Sequence, residues 1–262
     1  IIHTHKCIVA TGGTSRPETG STGEGFNWLK NLGHTVIEND VALVPITLKN
    51  EWAKKLAGIT LADVKLTTYK GSEKQNVHTG KLLFTHVGIS GPTVLNMSRE
   101  VGELLNDDEG GEYSQKEEVV IKLDLFPNLD PSALKTKFQT ILTEHSNKKI
   151  KNVLSMLVAP AMVEPILELA GIDGETFNHS VKTAERKTLV SLLKNVILNV
   201  EGLLGKDKAV VSSGGVILSE VDFKTMQSRI LPQLYLVGDT LNINRPSGGY
   251  SLQLCWTTGY VA

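Results

Sequence analysis

The chain has little of several features that would point to a special environment. It has only two cysteines, Cys7 and Cys255, which form no C-x-x-C pair, and its seven histidines form no H-x-x-x-H pair. We therefore expect no dithiol redox motif and no structural metal. We interpret both cysteines as buried, unreactive thiols, which fits a reducing cytoplasm.

Long apolar runs and a strong net charge are absent as well. No apolar run approaches the ~18 residues that a membrane span needs. The net charge is −1, with 27 basic and 28 acidic residues, so overall charge indicates neither a nucleic acid nor a membrane as a partner. The short basic run at 148–151 has no interleaved aromatic residues, and we interpret it as a solvated helix end.

A G-x-G-x-x-G motif after a first strand is missing, and so is an acidic residue at the ribose-binding distance. These elements cradle the pyrophosphate and bind the ribose in dinucleotide-binding βαβ units. The composition, 40% hydrophobic and 21% charged residues, permits an ordinary packed core in one large or two smaller domains. Any nucleotide site must therefore be argued from other segments.

The most informative segment lies near the C-terminal end. Residues 234–237 form an apolar run that stops at Gly238 and Asp239. This pattern is typical of a buried parallel strand that delivers a carboxylate at its C-terminal end, where open α/β sheets bind ligands. Gly248 and Gly249 then open a predicted helix, whose first backbone N–H groups suit an anion or an electron-rich ring edge.

A matching strand is predicted near the N-terminal end. Residues 6–11 lead into Gly12 and Gly13, where glycine lets the backbone approach a ligand closely. We expect this strand and residues 234–237 to belong to one parallel sheet. The chain between them must then leave that sheet and return, and its length requires a core of its own.

Several motifs together resemble one family. Residues 4–12 and 235–239 resemble the nucleotide-contact and ribityl-contact strands of two-dinucleotide-binding flavoproteins. More narrowly, the chain resembles the BaiN/RdsA (YhiN-type) family of bacterial NAD(P)/FAD-dependent oxidoreductases, to which aminoacetone oxidases are similar. The motifs that carry this narrower resemblance lie at 10–13, 19–25, 83–92 and 214–216.

The resemblance implies an α/β fold that is part of a Rossmann-like, FAD-binding domain interrupted by an insert. The FAD-binding part would comprise residues 1–40 and 205–262. The insert would be β-rich over 41–130 and 194–204, with a helical subdomain at 131–193 that covers one side of the flavin cleft. Relatives begin with a G-x-G-x-x-G unit, so the chain looks like a fragment that keeps the flavin-ring end of the site.

Local patterns predict the elements of the insert. Asp130 before Pro131 is typical of a capped helix start, and the apolar side chains of the helical part supply its core. The expected core residues are Phe138, Leu142, Leu157, Leu167 and Leu193. Helices are predicted at 25–32, from 92, from 131, and at 153–157, 162–169 and 189–193; strands are predicted at 41–48, 64–69, 81–86, 119–126, 196–200 and 209–211.

The resemblance also implies FAD as the cofactor, NAD(P)H as a candidate electron donor and a small molecule as the substrate. Asp239 would accept hydrogen bonds from ribityl hydroxyls, and the helix start would lie at the pyrimidine edge of the ring. Simpler interpretations are a turn aspartate and an ordinary helix-start loop. The residues implied to hold FAD are Thr11, Gly12, Gly13, Asp239, Gly248, Gly249, Tyr250, Ser251 and Leu252.

His86 is the candidate catalytic residue, because an imidazole can donate or accept a proton near neutral pH. The alternative is a histidine that only hydrogen-bonds its own loop. Arg16 and Arg245 are interpreted as solvated surface residues rather than anion-binding ones. Relatives often carry an acidic pair where this chain has Asn242 and Asn244.

Three functions remain open at this point. Two are flavin reactions: reduction of a carbonyl-conjugated alkene by NAD(P)H, and oxidation of an amine with oxygen as acceptor. The third is a non-catalytic binding module, which the absent G-x-G-x-x-G favours.

We predict that the 262-residue chain alone binds FAD weakly. Its motifs contact the ribityl and ring portions, whereas the phosphate contacts of the missing unit contribute about 1.5–3 kcal/mol each. Fluorescence titration of the chain with FAD tests this, and a sub-micromolar Kd would refute it.

Overall fold

The structure is a computed structural model that describes residues 3–15, 17–37, 43–106, 117–205 and 214–262. Contacts divide the chain into two compact units. The terminal unit comprises Ile1–Pro45 and Leu203–Ala262, and the barrel unit comprises Ile46–Gly202. The predicted domain assignments, which name one unit as FAD-binding, stay predictions.

Helices and strands alternate along much of the chain. The strands are β1 Cys7–Val9, β2 Val36–Ile37, β3 Ile46–Leu48, β4 Thr60–Lys70, β5 Glu73–Thr85, β6 Gly88–Ser90, β7 Val119–Asp124, β8 Val196–Leu203, β9 Gly215–Val216, β10 Val221–Asp222, β11 Gln227–Ser228 and β12 Leu234–Leu236. The helices are α1 Glu24–Asn31, α2 Glu51–Lys54, α3 Pro92–Asn106, α4 Pro131–Glu144, α5 Ile150–Leu154, α6 Pro160–Ala170, α7 Thr183–Lys194 and α8 Tyr250–Val261.

The terminal unit is built on a four-stranded mixed sheet in the order β1-β12-β11-β10. β1 and β12 are parallel, with Cys7 opposite Leu234 and Val9 opposite Leu236. The prediction that these two distant segments share a parallel sheet is therefore confirmed. The strands pack with α1 on an apolar cluster of Leu29, Val216, Val221, Met226, Leu234, Leu236, Val237 and Leu241.

The barrel unit is a closed six-stranded barrel in the order β3-β6-β5-β4-β7-β8. On β5, for example, Leu82 and Phe84 are fully buried, whereas Lys81, Leu83 and Thr85 are at least partly exposed. Closure leaves no barrel strand with a free edge. The fold is thus mixed α/β with a closed barrel. Of the strand predicted at 41–48, residues 41 and 42 lie outside the described residues, and the strand observed in the rest is Ile46–Leu48.

The helical cluster agrees in part with the sequence prediction: α6 matches the helix predicted at 162–169, whereas α5 begins before the helix predicted at 153–157 and α7 begins before the one predicted at 189–193. Asp130 caps α4 by accepting the Ser132 and Ala133 N–H groups, both at 2.8 Å. Phe138, Leu142, Leu167 and Leu193 are buried as expected, while Leu157 is half-buried. Pro160 is the first residue of α6, a position where the missing proline N–H costs no intrahelical hydrogen bond. The predicted strand at 209–211 lies outside the described residues.

A buried polar relay ties α1 to the β10–β11 hairpin. His34 is 4% exposed; its Nδ1 lies 3.0 Å from Glu220 Oε2 and its Nε2 lies 3.1 Å from Ser228 Oγ. Ser228 Oγ already accepts the Ile230 and Leu231 N–H groups, so its hydroxyl donates to Nε2 and His34 donates from Nδ1 to Glu220. The order matches a hydrolase triad, but Ser228 is buried and its oxygen is occupied, so the relay is structural.

Glu220 makes the relay sensitive to acid. Burial acts to raise the pKa of Glu220, but hydrogen bonds from the Thr35 N–H and from His34 outweigh it and hold the pKa below the ordinary 4.5. A depressed carboxyl pKa stabilises the fold above the unfolded-state value, and that stabilisation is lost as pH falls through the folded-state value.

We predict that Glu220→Gln lowers the free energy of unfolding at pH 7 by about 1–3 kcal/mol, because charged hydrogen bonds to Thr35 and His34 are lost. The deficit should shrink as pH falls below about 4.5, where the wild type loses the same contribution. Urea unfolding at pH 7 and at acidic pH measures it, with exposed Glu144→Gln as control. A deficit that is equal at both pH values would contradict the assignment.

None of the helices in the described ranges combines the length and apolar character needed to cross a lipid bilayer.

Candidate functional site

Two chain segments leave the terminal sheet at the same edge. The Val237 N–H donates to the Val9 carbonyl at 3.2 Å, so β1 and β12 end side by side. Thr11 and Gly12 follow one strand end, and Gly238 and Asp239 follow the other. Because carboxyl ends of parallel strands are where ligands bind in open α/β sheets, this edge is the candidate site.

The exit of β1 packs tightly against the start of α1. A Cβ added at Gly25 would lie 1.9 Å from Thr11 Oγ1, so only glycine permits this approach. Thr11 Oγ1 is buried and has no hydrogen-bond partner among the described residues. A Cβ at Gly12 would lie 3.1 Å from Ser21 Oγ, which places the hydroxyl-rich loop at 19–23 beside this turn.

The exit of β12 carries a buried ion pair. Asp239 Oδ1 bonds the Arg245 guanidinium, whose Nε also donates to Ser251 Oγ at 2.8 Å and whose Nη1 donates to the Ile243 carbonyl at 2.7 Å. Burial raises the pKa of the Asp239 carboxyl above its ordinary 3.8, and the Arg245 charge and hydrogen bond oppose that rise. Arg245 therefore links the strand end to the first turn of α8.

The N-terminus of α8 is open. Its N-cap, Gly249, has φ of 94°, a left-handed conformation that favours glycine. A Cβ at Gly248 or Gly249 would meet nothing within 4 Å. The helix's first backbone N–H groups have no partner within the helix, and they suit an electron-rich group. Tyr250 and Leu252 are both more than half exposed.

These features fit the ribityl and ring portions of FAD. The Thr11 hydroxyl and the buried Asn242 Oδ1 lack hydrogen-bond partners among the described residues. Buried polar groups of this kind normally bind a polar ligand or a water molecule. Asp239 offers its second carboxylate oxygen as an acceptor. The structure brings Thr11, Gly12 and Asp239 to neighbouring strand ends and connects Asp239 to Ser251 through Arg245.

His86 belongs to the barrel unit. It lies exposed in the turn between β5 and β6, and the neighbouring Thr85 Oγ1 is buried without a partner among the described residues. Its catalytic role stays a prediction.

Two interpretations of charged and thiol residues are wrong. Arg245 is not a solvated surface residue: its side chain is 6% exposed and it pairs with Asp239. Cys7 and Cys255 are not buried, because Cys7 is on the edge strand of the sheet and Cys255 is on a face of α8 that is largely exposed. Burial and the Asp239 charge still raise the pKa of the Cys255 thiol, which disfavours the reactive thiolate.

Three further interpretations concern Arg16, the basic run at 148–151 and Arg245. Arg16 lies outside the described residues. In the basic run Lys148 is exposed, while Lys149 and Lys151 are half-exposed and both pair with Glu175. These bonds lower the pKa of Glu175 to about 2. Sequence reasoning missed Arg245 and its link to Ser251, since no local pattern connects an arginine to an aspartate six residues earlier.

Comparison with known proteins places the chain in a family. It matches the HI0933-like protein barrel and H2TH domain over residues 41–211. It is 31% identical to a 3-dehydro-bile acid delta(4,6)-reductase of Clostridium scindens, over 98% of this chain and 61% of that protein. It is 29% and 31% identical to ribosomal RNA dihydrouridine synthases of Escherichia coli and Haemophilus influenzae, over 97% of this chain and 59% and 58% of those proteins.

The chain thus spans about three fifths of the length of the curated relatives it matches. The family match covers most of the residues between β1 and β12, and it includes the closed barrel and the helical cluster. The chain therefore belongs to the HI0933-like, BaiN/RdsA-type family, which is of the flavin-dependent oxidoreductase type.

Proposed function

We propose that the protein is an FAD-dependent reductase that adds two hydrogens across a carbon–carbon double bond next to a carbonyl, with NAD(P)H as the electron donor. The observation that carries the proposal is the shared edge of β1 and β12, where Thr11, Gly12 and Asp239 leave neighbouring parallel strands. In this proposal the terminal unit is the Rossmann-like part of a two-dinucleotide-binding fold.

The names of the relatives support the reduction of an alkene. One acts on the Δ4,6 bonds of a 3-dehydro bile acid, and the others form dihydrouridine in ribosomal RNA. Both the steroid ring and the uracil ring present a carbon–carbon double bond conjugated to a carbonyl. Two electrons and one proton come from NAD(P)H, and a second proton comes from an acid or water, so each alkene carbon gains one hydrogen.

The bound flavin would relay electrons from the donor to the alkene. In this proposal Asp239 accepts hydrogen bonds from the ribityl chain, while Arg245 keeps that buried carboxylate charged. The backbone N–H groups at Gly249 and Tyr250 hold the pyrimidine edge and favour negative charge there. Thr11, Gly12 and Gly13 line the cofactor path, and Ser251 and Leu252 complete the helix start.

His86 is the proposed proton donor to the alkene carbon, because it is the exposed imidazole of the family motif at 83–92. A small organic molecule is the proposed substrate. The ribosomal RNA enzymes among the relatives make a uracil ring within RNA the second candidate.

Stopped-flow mixing of the full-length protein with NADPH, NADH or an amine, without oxygen, tests the donor. We expect NAD(P)H to bleach the visible flavin band and a 3-oxo-Δ4 steroid or a uridine-containing RNA to restore it. Bleaching by an amine alone would overturn the reductase proposal in favour of an oxidase. A purified protein with no flavin band and no affinity for FAD would favour the non-catalytic alternative.

We predict that Asp239→Ala in the full-length protein weakens flavin binding by about 2–4 kcal/mol, roughly 30- to 1000-fold, because ribityl hydrogen bonds to a charged acceptor are lost. Asp239→Asn, which keeps an oxygen for Arg245, should lose less. The matched control is Asp222→Ala on the β10–β11 hairpin; among the described residues its carboxylate accepts the Lys224 N–H alone, at 3.0 Å. Flavin content is read from absorbance and folding from circular dichroism; full flavin content in a folded Asp239→Ala variant would make Asp239 a turn residue.

A further inference from the structure

The outer face of the barrel carries a basic cleft. Lys65, Thr67 and Tyr69 alternate along β4, so they share a face, while the intervening Leu66 is fully buried. Lys122 on β7 pairs in register with Thr67, and Lys74 on β5 pairs with Tyr69. The cleft has a volume of about 690 Å³ and is closed on one side by the loop that leads into α4.

A second groove continues the first across the helical cluster. It lies between α4 and α7, has a volume of about 570 Å³ and is lined by Lys135, Arg186 and Lys187. Both cavities are lined by Pro131, Lys194 and Asn195, so they meet along one wall. We call the two adjoining cavities together, which lie wholly in the barrel unit, the lysine groove.

Positive charge dominates the lysine groove. Its lining includes seven cations and two carboxylates, in a chain whose net charge is −1. The cations are Lys65, Lys74, Lys122, Lys135, Arg186, Lys187 and Lys194; the carboxylates are Asp124 and Asp130.

Both carboxylates are already committed within the protein. Asp124 Oδ2 lies 2.7 Å from Lys194 Nζ and 3.2 Å from Lys65 Nζ, and Asp130 caps α4. Lys74, Lys135 and Lys187 are exposed and form no ion pair with any described residue. Clustered like charges repel one another, so the groove retains an excess of positive charge that a polyanion would neutralise.

The groove also offers groups suited to a nucleic-acid strand. Lys122 Nζ lies 4.0 Å above the centroid of the Tyr69 ring, and Asn128 and Asn195 add amide donors beside the cations. An elongated, concave row of cations with an aromatic ring matches a phosphodiester backbone better than a flat bilayer, which large exposed apolar side chains would anchor. Val77 is the one large hydrophobic side chain of the lining that is more than a third exposed.

We propose that the lysine groove binds the phosphate backbone of an RNA strand. This differs from the expectation drawn from overall charge, because the fold gathers lysines from five separate segments that no sequence window shows together. The proposal concerns binding and stands independently of the flavin reaction.

Fluorescence anisotropy with a fluorescein-labelled RNA hairpin of about 20 nucleotides tests the groove in the full-length protein, over roughly 50–200 mM salt. The groove variant combines Lys74→Ala, Lys135→Ala and Lys187→Ala. The control combines Lys55→Ala, Lys137→Ala and Lys148→Ala, which are exposed lysines of the same unit outside the groove. Both triple variants lose the same charge, so a general charge effect acts on them equally.

We expect the groove variant to bind RNA at least about tenfold more weakly, and its plot of log affinity against log salt to be shallower by about 2, because each phosphate contact contributes about 0.7–0.9 to that slope. The control should stay within about twofold of the wild type. DNA of the same sequence, as a further probe, shows whether the 2′-hydroxyl contributes.

Equal losses in both variants would overturn the proposal, and so would wild-type affinity in the groove variant. Competition by poly-glutamate or by phosphatidylserine vesicles as strong as that by unlabelled RNA would also overturn it, in favour of an acidic protein or a membrane. Flavin absorbance is recorded for each variant. A colourless protein that binds RNA through the groove would refute the reductase and support the groove.

Discussion

The parallel pairing of β1 with β12 is the constraint on which the rest of the chain depends. It joins Cys7–Val9 to Leu234–Leu236 across more than two hundred intervening residues. Because parallel neighbours cannot be joined by a tight turn, the chain must leave this sheet and return to it. The barrel and the helical cluster fill that excursion with their own cores.

Local signals were readable from the sequence because they act over a few residues. Asp130 before Pro131 predicted the capped start of α4, and Gly249 predicted the start of α8; both are confirmed. Closure of the barrel was not predicted, since register between distant strands depends on packing of whole faces rather than on a local motif. The exposure of Cys7 was missed for a similar reason: an apolar run does not tell which strand becomes an edge.

The site shows the same division between local and long-range effects. The glycines and Asp239 stand in short motifs, so the sequence identified them as candidates. The Asp239–Arg245 pair arises from how the loop after β12 folds back on α8, and it converts a residue expected in solvent into a buried counter-ion. Removing either partner of such a largely buried pair leaves the charge of the other uncompensated, which destabilises the fold. The lysine groove likewise depends on topology. Its cations come from separate segments, and no single segment contains the cluster.

The order of synthesis separates β1 in time from its only neighbour in the described sheet, β12. During synthesis at about 5–20 residues per second, β1 leaves the ribosome on the order of 10 to 45 seconds before β12. All six barrel strands lie between β1 and β12 in the chain, so the whole barrel unit is synthesised before β12. Within the 262 residues, β1 therefore waits for its parallel neighbour until the barrel unit has been made. Once β8 has been made and the barrel can close, the barrel strands offer β1 no free edge in place of β12.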